Sequence, residues 1–194
     1  MRCNPLRAVL PALALSALVA VPASAQFGGA VGVRSVAGNE AVAANSDRSG
    51  FELRAFWEGV ITPTWSWRAE VAGTQMQFRR DDGTQRFAVS ENGIEVSAAA
   101  RASFGGGSLS GLYGLAGPVY SLRVLCGTSG RYSPNGRVAC DEGEDQELGY
   151  QLGLGFASRV AMSREMLFEL RYIDGVVAGA GNPVVALSIG LRWR

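Results

Sequence analysis

The sequence predicts an all-β fold: a closed, antiparallel, up-and-down barrel of about eight strands. Three observations predict it. Apolar residues recur at every second position along most of the chain, which is the period of a strand and not the 3.6-residue period of a helix. Glycine makes up 26 of the 194 residues, well above the usual level of about 7%, and glycine weakens helices. Short and longer connections alternate between the periodic segments, and in an up-and-down sheet this gathers the long ones at one end.

The first 25 residues have a different character. Arg2 and Arg7 precede an apolar run, Ala8 to Val21, broken only by Pro11 and Ser16. The run ends on Ala23-Ser24-Ala25. A basic start, an apolar middle and a small-residue close are the marks of a secretory signal peptide, here cut before Gln26. The run is too short for a membrane-spanning helix, which needs about 20 residues. The chain therefore divides into a leader, 1–25, and one barrel domain, 26–194.

The strands follow in order. Residues 27–37 alternate weakly, Val31 and Val33 against Gly32 and Arg34. In 51–61, Phe51, Leu53, Ala55, Trp57 and Ile61 oppose Glu52, Arg54 and Glu58. In 65–72, Trp65, Trp67, Ala69 and Val71 oppose Ser66, Arg68 and Glu70. In 94–104, Ile94, Val96, Ala98, Ala100, Ala102 and Phe104 oppose Glu95, Ser97, Arg101 and Ser103. Residues 109–125 change phase near Pro118: Tyr113, Leu115 and Val119 share one parity, Tyr120, Leu122 and Val124 the other. A bulge at the proline would bring both sets to one face. In 148–160, Leu148, Tyr150, Leu152, Leu154 and Phe156 oppose Gln151, several glycines and Arg159. In 166–173, Met166, Phe168, Leu170 and Tyr172 oppose Glu169 and Arg171, together with Leu167 and Ile173. In 184–193, Val185, Leu187, Ile189, Leu191 and Trp193 oppose Ser188, Gly190 and Arg192. The short turns are Thr62-Pro63-Thr64, Gly105-Gly106-Gly107 and Ser163-Arg164-Glu165. The longer connections are 38–50, 79–86, 126–146 and 174–183.

Either face of such a barrel could meet water. The polar face here is thin, mostly Gly, Ser and Ala with a limited set of charges, which suits a narrow lumen with just enough room for side chains. The charges also balance: Arg34, Arg54, Arg68, Arg101, Arg159, Arg171 and Arg192 against Glu52, Glu58, Glu70, Glu95 and Glu169. Buried charges need partners, and an arginine fork can bridge two carboxylates. Aromatic residues cluster near strand ends, among them Trp57, Trp65, Trp67, Tyr172 and Trp193, as in barrels that anchor at two membrane interfaces. The arrangement is thus an apolar face toward lipid and a charged face toward the lumen.

With its leader, the mature chain resembles the small outer-membrane β-barrels of the OmpA/OmpX-like family, in architecture and pattern over its whole length. The most specific part is the last strand, which alternates to its end and carries Trp193 followed by Arg194. The resemblance implies recognition of this strand by the barrel-assembly machinery. It also implies residence in the bacterial outer membrane with both termini periplasmic, and contact with outer-membrane lipid and lipopolysaccharide.

Composition narrows the chemistry. The formal net charge is +1, so no strong field points to nucleic acid. The chain has no His, which removes Ser-His-acid catalysis and the commonest general base near neutral pH. No enzyme activity, cofactor or metal site is expected. Cys126 and Cys140 are the two cysteines after the leader; in an oxidising compartment they are expected to pair, closing a loop of about 15 residues worth roughly 3 kcal/mol. Three functions remain. The first is a structural or surface-interaction protein with a plugged lumen, acting in envelope integrity, adhesion or host contact through four external loops. The second is a narrow pore for ions or small solutes. The third is a soluble periplasmic barrel that binds an apolar ligand as a lipocalin does.

Overall fold

The computed structural model describes residues 25–37, 46–81, 86–105, 111–130, 146–175 and 183–193. The expected leader, but for Ala25, and Cys140 lie outside them. Eight strands run in sequence order: β1 (Gln26–Val36), β2 (Ser46–Val60), β3 (Trp65–Asp81), β4 (Arg86–Phe104), β5 (Leu112–Gly130), β6 (Gln146–Ala161), β7 (Arg164–Asp174) and β8 (Val184–Trp193). Each pairs antiparallel with the next, and the sheet closes on itself. The closing seam runs from Phe27 opposite Trp193 to Val36 opposite Val184. The rings of Phe27 and Trp193 stack there, with centroids 5.2 Å apart.

Several strands outrun their apolar pattern. β3 continues to Asp81 and β4 begins at Arg86, so both described ends of the expected connection 79–86 are paired sheet. β5 likewise extends to Gly130, into the expected connection 126–146. Backbone pairing needs no apolar side chain, so a ladder can continue past the apolar band. The extension is marked by a row of outward polar residues at one level: Ser35 faces Ser49, and Ser49 faces Gln77.

The strand through Pro118 departs from expectation. Ser97 pairs with Val119 and Ala100 with Ala116 in a single unbroken register, so there is no bulge at the proline. The shift falls instead between Asn92 and Gly93, opposite Leu125 and Arg123. Tyr113, Leu115 and Val119 consequently stay inside, each buried, while Tyr120 and Val124 face outward. The two apolar parities of β5 are real, one for each side of the wall.

Outside, the wall is apolar. Val31, Val33, Phe51, Leu53, Leu152, Leu154, Leu170, Leu187 and Ile189 are all exposed large hydrophobics. Val185 to Trp193 spans nine positions of outward alternation, close to the 9–11 residues of a tilted transmembrane strand. Trp57, Trp65, Phe27 and Trp193 ring the short-turn end. Tyr120, Tyr150 and Tyr172 ring the other end, where Tyr150 Oη donates to Asp174 at 2.9 Å and Tyr120 Oη to Gln146 at 2.7 Å. Trp67 lies over Gly59, where an added Cβ would meet its indole.

This division makes a direct prediction. Leu187→Arg puts a charge on the apolar band and should cost about 2–4 kcal/mol of folding free energy in lipid vesicles. Gln77→Arg, beyond the band, should fall within about 0.5 kcal/mol of the parent. Urea unfolding of both variants in vesicles measures the difference.

Candidate functional site: the charged lumen

The lumen is filled by side chains from all eight strands. The inward period-two positions place Arg34 on β1, Glu52, Arg54 and Glu58 on β2, Arg68 and Glu70 on β3, and Glu95 and Arg101 on β4. Glu165, Glu169 and Arg171 come from β7 and Arg192 from β8. β5 and β6 contribute Tyr113 and Gln151. All of these are buried. Among the described residues the ion-paired, buried set holds six arginines and six glutamates, so its formal charge cancels.

The pairs form one connected network. At the short-turn end, Glu58 accepts from Arg192 at 2.6 Å, Arg101 at 2.9 Å and Arg68 at 3.0 Å. The Ser66 hydroxyl donates to it at 3.1 Å. Arg192 also reaches Glu165. At mid-height, Glu70 meets Arg171 at 3.1 Å, Arg54 at 3.3 Å and Arg68 at 3.4 Å. Glu169 meets Arg54 at 2.9 Å and pairs with Arg68, and accepts from Tyr113 Oη at 2.7 Å. Higher still, Glu52 meets Arg171 at 2.6 Å, Arg54 at 3.0 Å and Arg34 at 3.4 Å, and Arg34 continues to Glu95 at 2.7 Å. Gln151 joins β6 to the network, accepting from Arg171 and donating to Ser97, each at 3.0 Å. Ser188 hydrogen-bonds Arg54 across the closing seam.

Two apolar clusters flank the charges. Phe56, Ala99, Tyr113, Leu115 and Leu167 form one; Val36, Met76, Val119, Ile173 and Val184 form the other. The first doubles as a cation platform. Arg68 lies 4.6 Å from the Phe56 centroid, and Arg101 lies 4.0 Å from that of Tyr113, a range in which the ring face attracts a guanidinium. Room for Tyr113 comes from Gly155, where a Cβ would overlap the phenol ring; Gly28 makes the same room for Phe56.

One expected lumen residue lies elsewhere, and one was missed. Arg159 is exposed at the end of β6, although it stands opposite the inward Glu165. Glu165, expected in a turn, belongs to β7 and is 5% exposed. Stepping back by two from Arg171 through Glu169 and Leu167 reaches it, so the period carried the signal. At the long-connection end, Glu91 pairs with Arg123 at 3.5 Å. Glu91 adjoins the outward polar row, opposite Met76, and so lies beyond the apolar band. Burial pushes its carboxyl above the ordinary value, and Arg123 pulls it partly back.

No protein-family profile matches the sequence, and no curated protein does. The fold has counterparts among solved structures. The outer membrane protein OprG from Pseudomonas aeruginosa aligns with a TM-score of 0.53 at 12% identity, over 87% of this chain and 96% of that one. Neisserial surface protein A aligns at 0.47 and 14% identity, over 87% and 96%. Ail of Yersinia pestis aligns at 0.45 and 11% identity, over 87% and 97%. At these identities the likeness concerns the fold: this chain is a small eight-strand β-barrel of the outer-membrane type.

The network predicts strong coupling. Arg68→Met leaves Glu58 and Glu169 short of a buried partner and should cost about 3–5 kcal/mol. Adding Glu169→Gln should recover part of that loss, because the double change removes one charge of each sign. Unfolding of the two single variants and the double variant in vesicles gives the coupling energy. Gly155→Val should cost about 1–3 kcal/mol by overpacking Tyr113, read in the same assay.

Proposed function

We propose that the protein resides in the bacterial outer membrane as a barrel with a plugged lumen, and that its function lies in the connections it displays. The supporting observation is the saturated interior: six arginines and six glutamates pair across every part of a bore that eight strands make only wide enough for side chains. Residues 1–25 act as the export signal, both termini face the periplasm, and β8 with Trp193 engages the assembly machinery. The four longer connections face outward, beside lipopolysaccharide, and serve envelope integrity, adhesion or host contact. Cys126, near the end of β5, pairs with Cys140 to brace the third of them.

A narrow pore is the second reading, favoured by a small polar cavity beside Arg34 at the long-connection end. The lipocalin-like reading needs the opposite faces: an apolar lumen and a charged exterior. This wall carries leucines and valines outside and arginines within.

Two measurements test the reading. The protein should fractionate with the outer membrane and change its gel mobility on boiling; recovery in the soluble periplasm would refute the location. In planar bilayers the parent should give no steady conductance steps, whereas an Arg68→Ala/Glu169→Ala variant should give them. Conductance by the parent would favour the pore.

A further inference from the structure

Of the three short connections, only the one between β6 and β7 carries exposed charge. Thr62-Pro63-Thr64 and residues 105–111 have no charged residue, whereas Arg159 and Arg164 flank the third turn. Both arginines are exposed, and among the described residues neither has an ion-pair partner. Glu58 and Glu165 are the described carboxylates of this end. Both are buried, and they already hold Arg68, Arg101 and Arg192. Glu165 stands opposite Arg159 in register, but its carboxylate is taken by Arg192 at 3.1 Å.

Register places Arg164 on the outside of the wall. Glu165 and Leu167 are buried, so Arg164 has the outward parity of β7. It pairs with Trp193, Trp193 with Phe27, and Phe27 with Trp57. A row of three aromatic residues thus crosses β2, β1 and β8 and ends on a guanidinium at β7. Val160 and Met162, beside and within the same turn, are 51% and 98% exposed. Aromatic rows of this kind sit at the headgroup level of a membrane. An arginine there lays its stem on apolar surface and keeps its charged head among polar groups. Its planar fork matches the oxygens of a phosphate, with two parallel N–H···O bonds. Arg159 lies across the ladder from the residue next to Arg164, close enough to add its charge to the same field.

We propose that the β6–β7 corner binds the phosphate of an anionic phospholipid, held by Arg164, in the leaflet that the short turns face. The site rests on the membrane reading above. The place of Arg164 at the end of the aromatic row, outside the bore, favours lipid over a water-borne polyanion.

Trp193 reports on the site. Trp57→Phe, Trp65→Phe and Trp67→Phe together leave it the single tryptophan. The barrel is placed in vesicles of phosphatidylcholine and phosphatidylglycerol in equal parts, with bromine on the acyl chains of one lipid at a time. Brominated phosphatidylglycerol should quench Trp193 about fivefold more effectively than brominated phosphatidylcholine, the preference that one arginine supplies at an anionic surface. Arg164→Gln should remove most of this preference and Arg164→Lys should keep part of it. Both barrels should retain their heat-dependent gel mobility, since Arg164 braces nothing in the bore. Mass spectrometry of the parent barrel, released intact from the same lipid mixture, repeats the measurement with all the tryptophans in place. Phosphatidylglycerol should be the lipid retained, and Arg164→Gln should lose it. Equal quenching by the two lipids, or a preference that survives Arg164→Gln, would overturn the site and leave the membrane location standing. Equal quenching with Arg164-dependent binding of soluble polyglutamate would assign the arginine to a water-borne polyanion instead. Quenching by neither lipid would overturn the location, and the site with it.

Discussion

A strand in hydrocarbon cannot leave its edge unpaired, because no water is present to take up the exposed N–H and C=O groups. The pairing of β8 with β1 leaves no such edge, and most of the structure depends on it. Ten residue pairs, Phe27–Trp193 through Val36–Val184, close the wall. Closure at eight strands leaves a bore filled by side chains. Inward charges find their partners among other inward side chains, and the outward residues make an apolar wall.

The charges inside follow from that narrowness. A lone buried ion would be prohibitive, and a paired one is stable only with good geometry and its remaining valences filled. Arginine meets both conditions, since its fork serves two or three carboxylates at once. Arg54 touches Glu52, Glu70 and Glu169, and Arg68 touches Glu58, Glu70 and Glu169. Each hub binds strands far apart in sequence, so the network acts as a set of cross-braces. Removing one brace exposes several charges together, which is why the Arg68 and Glu169 substitutions are expected to be non-additive.

The fold was legible because period two is imposed by the wall itself. Outward and inward side chains alternate without exception on β2 from Phe51 to Glu58 and on β7 from Glu165 to Ile173. Legibility ended where both faces were apolar. On β5 the residues Tyr113, Leu115 and Val119 look as lipid-facing as Tyr120 and Val124, and only their cross-strand company tells them apart: Glu169 and Arg101 beside Tyr113, Met76 and Ile173 beside Val119. Arg159 failed for a different reason. Its parity is right, since it stands opposite the inward Glu165, but it sits at the end of β6, where its side chain is exposed. The long-connection ends of β3, β4 and β5 were hidden because backbone pairing alone leaves no hydropathy signature.

Arg34 shows how such an interior can do more than fill space. Lower in the bore each acidic hub is saturated; Glu58 and Glu70 each meet three guanidiniums. At Arg34 the stack of braces ends, and the next acceptor upward is Glu95, which occupies one edge of the fork. The deeper arginines lock the wall by bridging carboxylates from several strands. Arg34 is held on two sides, by Glu52 and Glu95, and so braces β1 against β2 and β4 at the upper end of the network.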